Sequence, residues 1–191
     1  MRTTERPSTP RERLSVDRIV EEALGLARQE GVRGISMRPL AARFGVSATA
    51  LYGHVASRDA LLGLMLDSIL AEVPPLAAEL DWDAALRLGA ADMRDAFGPF
   101  PQLALEAMGG HAATLQTQTG REDLMARLVA AGFEPDEAEL AVGCWGRWIL
   151  SYLAAAEHTP EGAQELTDRA FEHGVELLVQ GLRRQLGDRA V

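Results

Sequence analysis

Four times before residue 62 the chain repeats one short arrangement: an apolar or small residue, then a serine, then an apolar residue four positions beyond it. The instances are Leu14-Ser15 with Ile19, Ile35-Ser36 with Leu40, Val46-Ser47 with Leu51, and Ala56-Ser57 with Leu61. A serine at an N-cap accepts a hydrogen bond from a backbone N–H that the first helical turn leaves unpaired, and the apolar pair across it fixes how the chain enters the helix. The spacing predicts helices over about 16–30, 37–44, 48–55 and 58–71, the second and third of barely two turns. Gly31 suits a positive φ after the first, and Pro39 falls in the first turn of the second, where a missing N–H costs little.

The connection Gly45-Val46-Ser47 is a tight turn: glycine permits positive φ, Val46 anchors the turn, and Ser47 caps the next helix. Leu40, Ala41, Phe44, Val46, Leu51 and Val55 would pack the pair on the first helix. That leaves Ala48, Thr49, Tyr52, Gly53 and His54 pointing outward, the layout of a helix-turn-helix whose second helix enters a DNA major groove. Small side chains let such a helix approach the groove floor. Thr49 offers one hydrogen bond and a methyl, Ala48 an apolar contact, whereas Tyr52 and His54 suit phosphate oxygens. Arg38 and Arg58, each at a helix start, would flank the groove. The DNA-binding candidates are therefore Arg38, Ser47, Ala48, Thr49, Tyr52, Gly53, His54 and Arg58.

Charge follows the same division. The chain carries a net charge of -9, yet residues 1–70 hold 10 Arg against 8 acids, and residues 71–191 hold 9 Arg against 20. A coat of nucleic acid or anionic lipid over the whole surface is excluded, but a local basic patch is not. Residues 1–13, rich in Thr, Pro, Arg and Ser, read as a flexible arm in which Arg2, Arg6, Arg11 and Arg13 are either a minor-groove contact or a plain tail. The single Cys144 makes no internal disulfide and reads as a small buried residue, no apolar run reaches membrane-spanning length, and a soluble cytoplasmic protein is expected.

Beyond Pro74-Pro75, the expected domain junction, the pattern stays helical, with no strand alternation. Helices are expected from Asp81 or Asp83 to Phe97, over 101–108 with Gly109-Gly110 as its stop, over 112–131, over 136–157, and, after Thr159-Pro160, over 161–186. Val142, Trp145, Ile149, Tyr152 and Leu153 form one apolar stripe; Leu166, Ala170, Leu178 and Leu182 form another. Two such pairs would make a four-helix interface about a two-fold axis, with Gly143 and Gly146 allowing close approach.

The run Ser36-Met37-Arg38-Pro39-Leu40-Ala41-Ala42-Arg43-Phe44-Gly45-Val46-Ser47, with Leu51-Tyr52-Gly53-His54-Val55 and Arg58-Asp59-Ala60-Leu61-Leu62, resembles the DNA-binding domain of the tetracycline-repressor (TetR) family over about residues 14–70. Gly53 stands where that family often has a bulky residue, and Arg58 where lysine is usual. The resemblance implies an all-α protein: an N-terminal three-helix helix-turn-helix DNA-binding domain (14–72) and a C-terminal helical domain (76–191) for ligand binding and dimerisation. It further implies a homodimer on a palindromic double-stranded DNA operator, released by a small-molecule effector.

Trp82, Met93, Phe97, Phe100, Met108, His111, Thr114, Leu115, Trp145, Trp148 and Tyr152 either line an effector pocket or fill the core; periodicity does not separate the two. Glu157-His158 and His173 lack a metal-ligand spacing, and Glu106 and Asp92 lack partners for acid–base work, so no metal, cofactor or catalytic centre is expected. A helical small-molecule carrier with a vestigial DNA-binding domain is the alternative from another class.

Overall fold

A computed structural model of the chain describes residues 14–111, 115–160 and 162–187, with the side chains of 110, 111, 115–117 and 157 left out. The arm expected at residues 1–13 lies outside the described residues. The described elements are helices α1 (Val16–Glu30), α2 (Met37–Arg43), α3 (Ala48–Tyr52), α4 (Arg58–Ala71), α5 (Trp82–Phe97), α6 (Pro101–Glu106), α7 (Leu115–Ala130), α8 (Pro135–Ala155) and α9 (Gln164–Gly187). Tight turns at Val32–Gly34 and Ala156–His158 and a wide π-helical turn at Ala107–His111 join them.

Three of the four serine signals act as caps. Ser15 Oγ accepts from the Arg18 N–H at 3.3 Å, Ser47 Oγ from Ala50 at 3.2 Å, and Ser57 Oγ from Ala60 at 3.0 Å. Ser36 keeps the extended backbone of an N-cap but makes no side-chain cap bond. α3 ends at Tyr52, short of the expected 55, because the Gly53 N–H turns back to the Thr49 and Ala50 carbonyls and His54 to Leu51. At Gly45 φ is 66°, as the tight turn before α3 requires.

Other boundaries shift for local reasons. Gly109-Gly110 do not stop the helix before them; the chain widens into the π-helical turn and runs on to His111. α8 begins at Pro135, where the Glu137 carboxylate accepts from the Glu134 N–H at 3.1 Å. Thr159 closes the tight turn after α8 instead of capping α9, which starts at Gln164.

One continuous apolar core runs from Ile19 and Leu40 through Leu62 and Leu66 to Phe97, Ile149 and Val179. α4 is central to it, burying Leu61, Leu62, Met65, Leu66, Ile69 and Leu70. Its 14 residues span about 21 Å, from beside α3 to the far part of the molecule. A second link joins the two parts: Gln102 on α6 accepts from the Arg33 N–H at 3.2 Å, and the Arg28 guanidinium lies 4.8 Å from the Phe100 ring centre.

The expected stripe on α8 has a different use. Val142, Trp145, Ile149 and Leu153 are buried within the chain's own core, while Leu140 on α8 and Leu166 and Leu177 on α9 remain 68%, 68% and 58% exposed. Cys144 is exposed, not buried. Across α5 and α9 the buried Asp83 carboxylate receives both Arg87 and Arg183, and Arg87 also bonds Glu176 at 2.9 Å. Among the described residues no helix is long and apolar enough to cross a membrane.

Candidate functional site

α3 is held from beneath by Leu51 and Val55, 0% and 2% exposed, which pin it to the core. Thr49, Tyr52, Gly53 and His54 stand exposed on the opposite side, Tyr52 at 50%. Ala48 is half-buried against the core, so its methyl is less available than its position suggests. Ala50 is exposed beside Thr49, a residue the sequence reading did not single out. Ser47 is exposed, and its hydroxyl, although accepting from Ala50, retains a proton to donate.

The two flanking arginines differ. Arg38 is exposed at the start of α2. Arg58 is only half-exposed: its Nε donates to the Ile35 carbonyl at 3.1 Å and its Nη2 to the Val32 carbonyl at 3.3 Å. Its guanidinium thus ties the start of α4 to the turn between α1 and α2. Arg43, on the last turn of α2, is bound to Glu22 at 2.7 Å.

At the other end of α4 lies a cavity of about 610 Å³. Leu70, Val73 and Pro74-Pro75 cover it from the α4 side; Gly89, Asp92 and Met93 come from α5, Met108 from the π-helical turn, Leu124 from α7, and Val142, Trp145 and Leu150 from α8. Its volume and largely apolar lining suit a small organic molecule.

Met93, Met108 and Trp145 are among the lining residues; Trp82, Phe97, Trp148 and Tyr152 are not. Trp82 packs edge-on against Phe133, ring centres 6.0 Å apart, and Phe97 is 0% exposed inside the core. Trp148 and Tyr152 cluster with Phe171 between α8 and α9, and the Tyr152 hydroxyl donates to the Thr167 carbonyl at 2.8 Å. Thr114 lies outside the described residues, as do the side chains of His111 and Leu115.

The sequence reading gave Asp92 no binding role. Its Oδ2 is buried without a hydrogen-bond partner, as is Trp145 Nε1. Burial first, and the neighbouring Asp95 carboxylate second, push the Asp92 carboxyl above the usual carboxylate range. The available signal was a lone acid set among Gly89, Ala90, Ala91 and Met93 on a helix with small inward residues. Among the described residues no cluster of His, Cys, Asp and Glu is placed to hold a metal ion.

A short exposed helix presented by a helix-turn-helix, joined through one continuous helix to a body with a largely apolar, open cavity, defines a regulator of the helix-turn-helix class. Residues 14–65 match the family described as bacterial regulatory proteins, tetR family. The chain is 32% identical to the class A tetracycline repressor protein of transposon 1721 from Escherichia coli, over 91% of its own length and 92% of that protein. It belongs to the TetR family.

A Saccharopolyspora erythraea HTH-type transcriptional regulator is 31% identical over 79% of the chain, which spans 64% of that relative's length. Among solved structures, a TetR variant from Acinetobacter baumannii in complex with minocycline superimposes with a TM-score of 0.80 at 25% identity, covering 91% of this chain and 99% of that one.

Proposed function

We propose that the chain is a cytoplasmic transcriptional repressor that binds a near-palindromic operator as a homodimer and leaves it when a small molecule enters the cavity. The observation that carries this reading is the uncovered face of α3 and of the turn after it, Thr49, Tyr52, Gly53 and His54, backed by the buried Leu51 and Val55. A face so polar and so firmly backed fits a groove better than a core. In this reading residues 14–72 bind DNA and 76–191 bind the effector and the second subunit.

The exposed Leu140 on α8 and Leu166 and Leu177 on α9 supply an apolar surface for a second copy. Two copies related by a two-fold axis would place two α3 helices on one side of a duplex, and a palindromic site follows. Coupling runs through α4, whose first residue Arg58 is bound beside the DNA-reading domain and whose Leu70 lines the cavity. A ligand shifts the spacing of the two α3 helices only as far as it binds one arrangement better than the other.

The test is a fluorescence-anisotropy titration of labelled duplexes selected by the purified protein, repeated over a salt series and with a compound panel. Specific binding that weakens as salt rises, and is lost in a Tyr52→Ala/His54→Ala double variant that stays folded, supports the reading. Full retention of operator binding by that variant removes α3 as the contact surface.

A further inference from the structure

The cavity holds two complementary groups that the fold leaves unsatisfied. Among the described residues three buried side-chain atoms lack a hydrogen-bond partner, and two of them, Asp92 Oδ2 and Trp145 Nε1, belong to residues lining this one cavity. The carboxylate only accepts, and the indole N–H only donates. Polar atoms left unpaired in a low-dielectric site oppose folding, so a molecule supplying both partners gains more there than it would in water.

The charges nearby decide what that molecule carries. Of the other arginines on α5, Arg87 is bound to Asp83 and Glu176, and Arg94 to Glu172 and Asp95. Arg121, on the α7 wall, is bound to Glu139 at 2.9 Å, while Arg147, a lining residue on α8, is exposed to solvent, which screens its charge. Asp123, also on the wall, has its own cation in Arg127 at 2.8 Å. Asp92, one of the lining residues, therefore has no cation bound to it and has Asp95 as a neighbouring like charge. Apart from Thr119, the remaining side chains of the wall, Met93, Met108, Leu124, Val142 and Leu150 among them, are hydrocarbon and thioether, which favours an apolar ligand body.

Resting on the reading of this cavity as the effector site, we propose that it selects an apolar organic amine, its protonated nitrogen on the Asp92 carboxylate and a nearby oxygen acceptor on the Trp145 indole N–H. The amine brings the missing charge and the missing donor together. An acid of the same skeleton would meet Asp92 as a like charge, and a neutral isostere would leave it unpaired.

The experiment uses the full chain and isothermal titration at pH 7.5 with three probes of one shape. These are diphenhydramine, which has two rings, an ether oxygen and a protonated amine; its isostere with CH in place of nitrogen; and diphenylmethoxyacetic acid. The amine is expected to bind about ten-fold tighter than either analogue. Asp92→Asn should bring the amine and its carbon isostere to within about three-fold of each other, and Trp145→Phe should weaken the amine several-fold, with circular dichroism verifying that both variants fold.

Equal affinity of amine and isostere for the wild type, no binding of the amine, or an undiminished preference in Asp92→Asn overturns the proposal. Release of the selected duplex is measured separately by anisotropy. Binding of the amine with the expected selectivity but without release leaves the ligand class standing and sinks the effector reading, whereas a chain that never binds DNA sinks the regulator reading alone.

Discussion

The indole of Trp148 packs against the bare backbone of Gly174: a Cβ placed on that glycine would overlap the ring at Cζ2 and Cη2. On its other contacts the same indole stacks on Phe171, ring centres 5.7 Å apart, and leans on Tyr152 at 5.4 Å. The absence of a side chain at residue 174 is thus what lets α8 and α9 meet.

Gly174→Ala should therefore destabilise the chain in spite of alanine's better helix propensity. Overpacking typically costs about 1–3 kcal/mol, against less than about 1 kcal/mol gained from propensity. Thermal unfolding followed by circular dichroism checks the sign. A Trp148→Leu background, which frees the space, should turn the same substitution neutral or stabilising, and an equal loss in both backgrounds would place its origin elsewhere.

The serine signals yield a second test, because the sequence treats Ser36 and Ser47 alike and the structure does not. Ser47 Oγ caps α3, whereas Ser36 makes no side-chain cap bond. Ser47→Ala should cost about 1 kcal/mol, and Ser36→Ala only a few tenths. Chemical denaturation of the two variants resolves the difference; equal midpoints would mean that the Ser47 bond adds nothing net.

That contrast also marks how far the sequence could be read. α1 and α4 have the expected bounds since their caps and staples are local, set by residues within one turn of each other. The exposed face of α3 was legible for the same reason: Leu51 in so short a helix and Val55 just after it face the core and leave Thr49, Tyr52 and His54 uncovered. The cavity was not. Trp82, Phe97, Trp148 and Tyr152 have the same composition and period as Met93, Met108 and Trp145, and only packing between distant helices decides which of them are covered. Asp92 was set aside in the sequence as an acid without a partner for acid–base work; its place in the cavity wall depends on α7 and α8, which line the same cavity.

Asp92 makes a pH-dependent prediction. Its carboxyl is pushed upward by burial and by Asp95, so ionising it costs the folded state something the unfolded chain does not lose. The wild type carries no such cost below the ordinary carboxylate pKa of about 4, and the cost grows until the pH has passed the raised folded value. Asp92→Asn should accordingly raise the ligand-free melting temperature more at pH 7.5 than at pH 3.5. A gain of the same size at both pH values would trace to packing and not to charge. The group that selects the amine in our proposal is thus one the empty protein would be more stable without.

Arg38 and Arg58 look equivalent in the sequence, both basic and both at a helix start, yet the structure separates their expected effects. Arg38 is exposed at the start of α2, so in the proposed complex it neutralises one phosphate. Arg38→Ala should weaken binding to all duplexes alike and reduce the slope of log K against log salt by about 1, with the melting temperature nearly unchanged. Arg58 spends two donors on the carbonyls of Ile35 and Val32; without it the Ile35 carbonyl loses that donor, while the Val32 carbonyl keeps the Ile35 N–H. Arg58→Ala should lower the melting temperature by several degrees, about 1–3 kcal/mol, since two charge-assisted bonds at a half-buried junction are removed together. If instead Arg58→Ala left stability intact and changed the salt slope as Arg38→Ala does, the guanidinium would have to leave those carbonyls for the phosphate. The anchoring of α4 to the turn between α1 and α2 would then be a feature of the DNA-free chain alone.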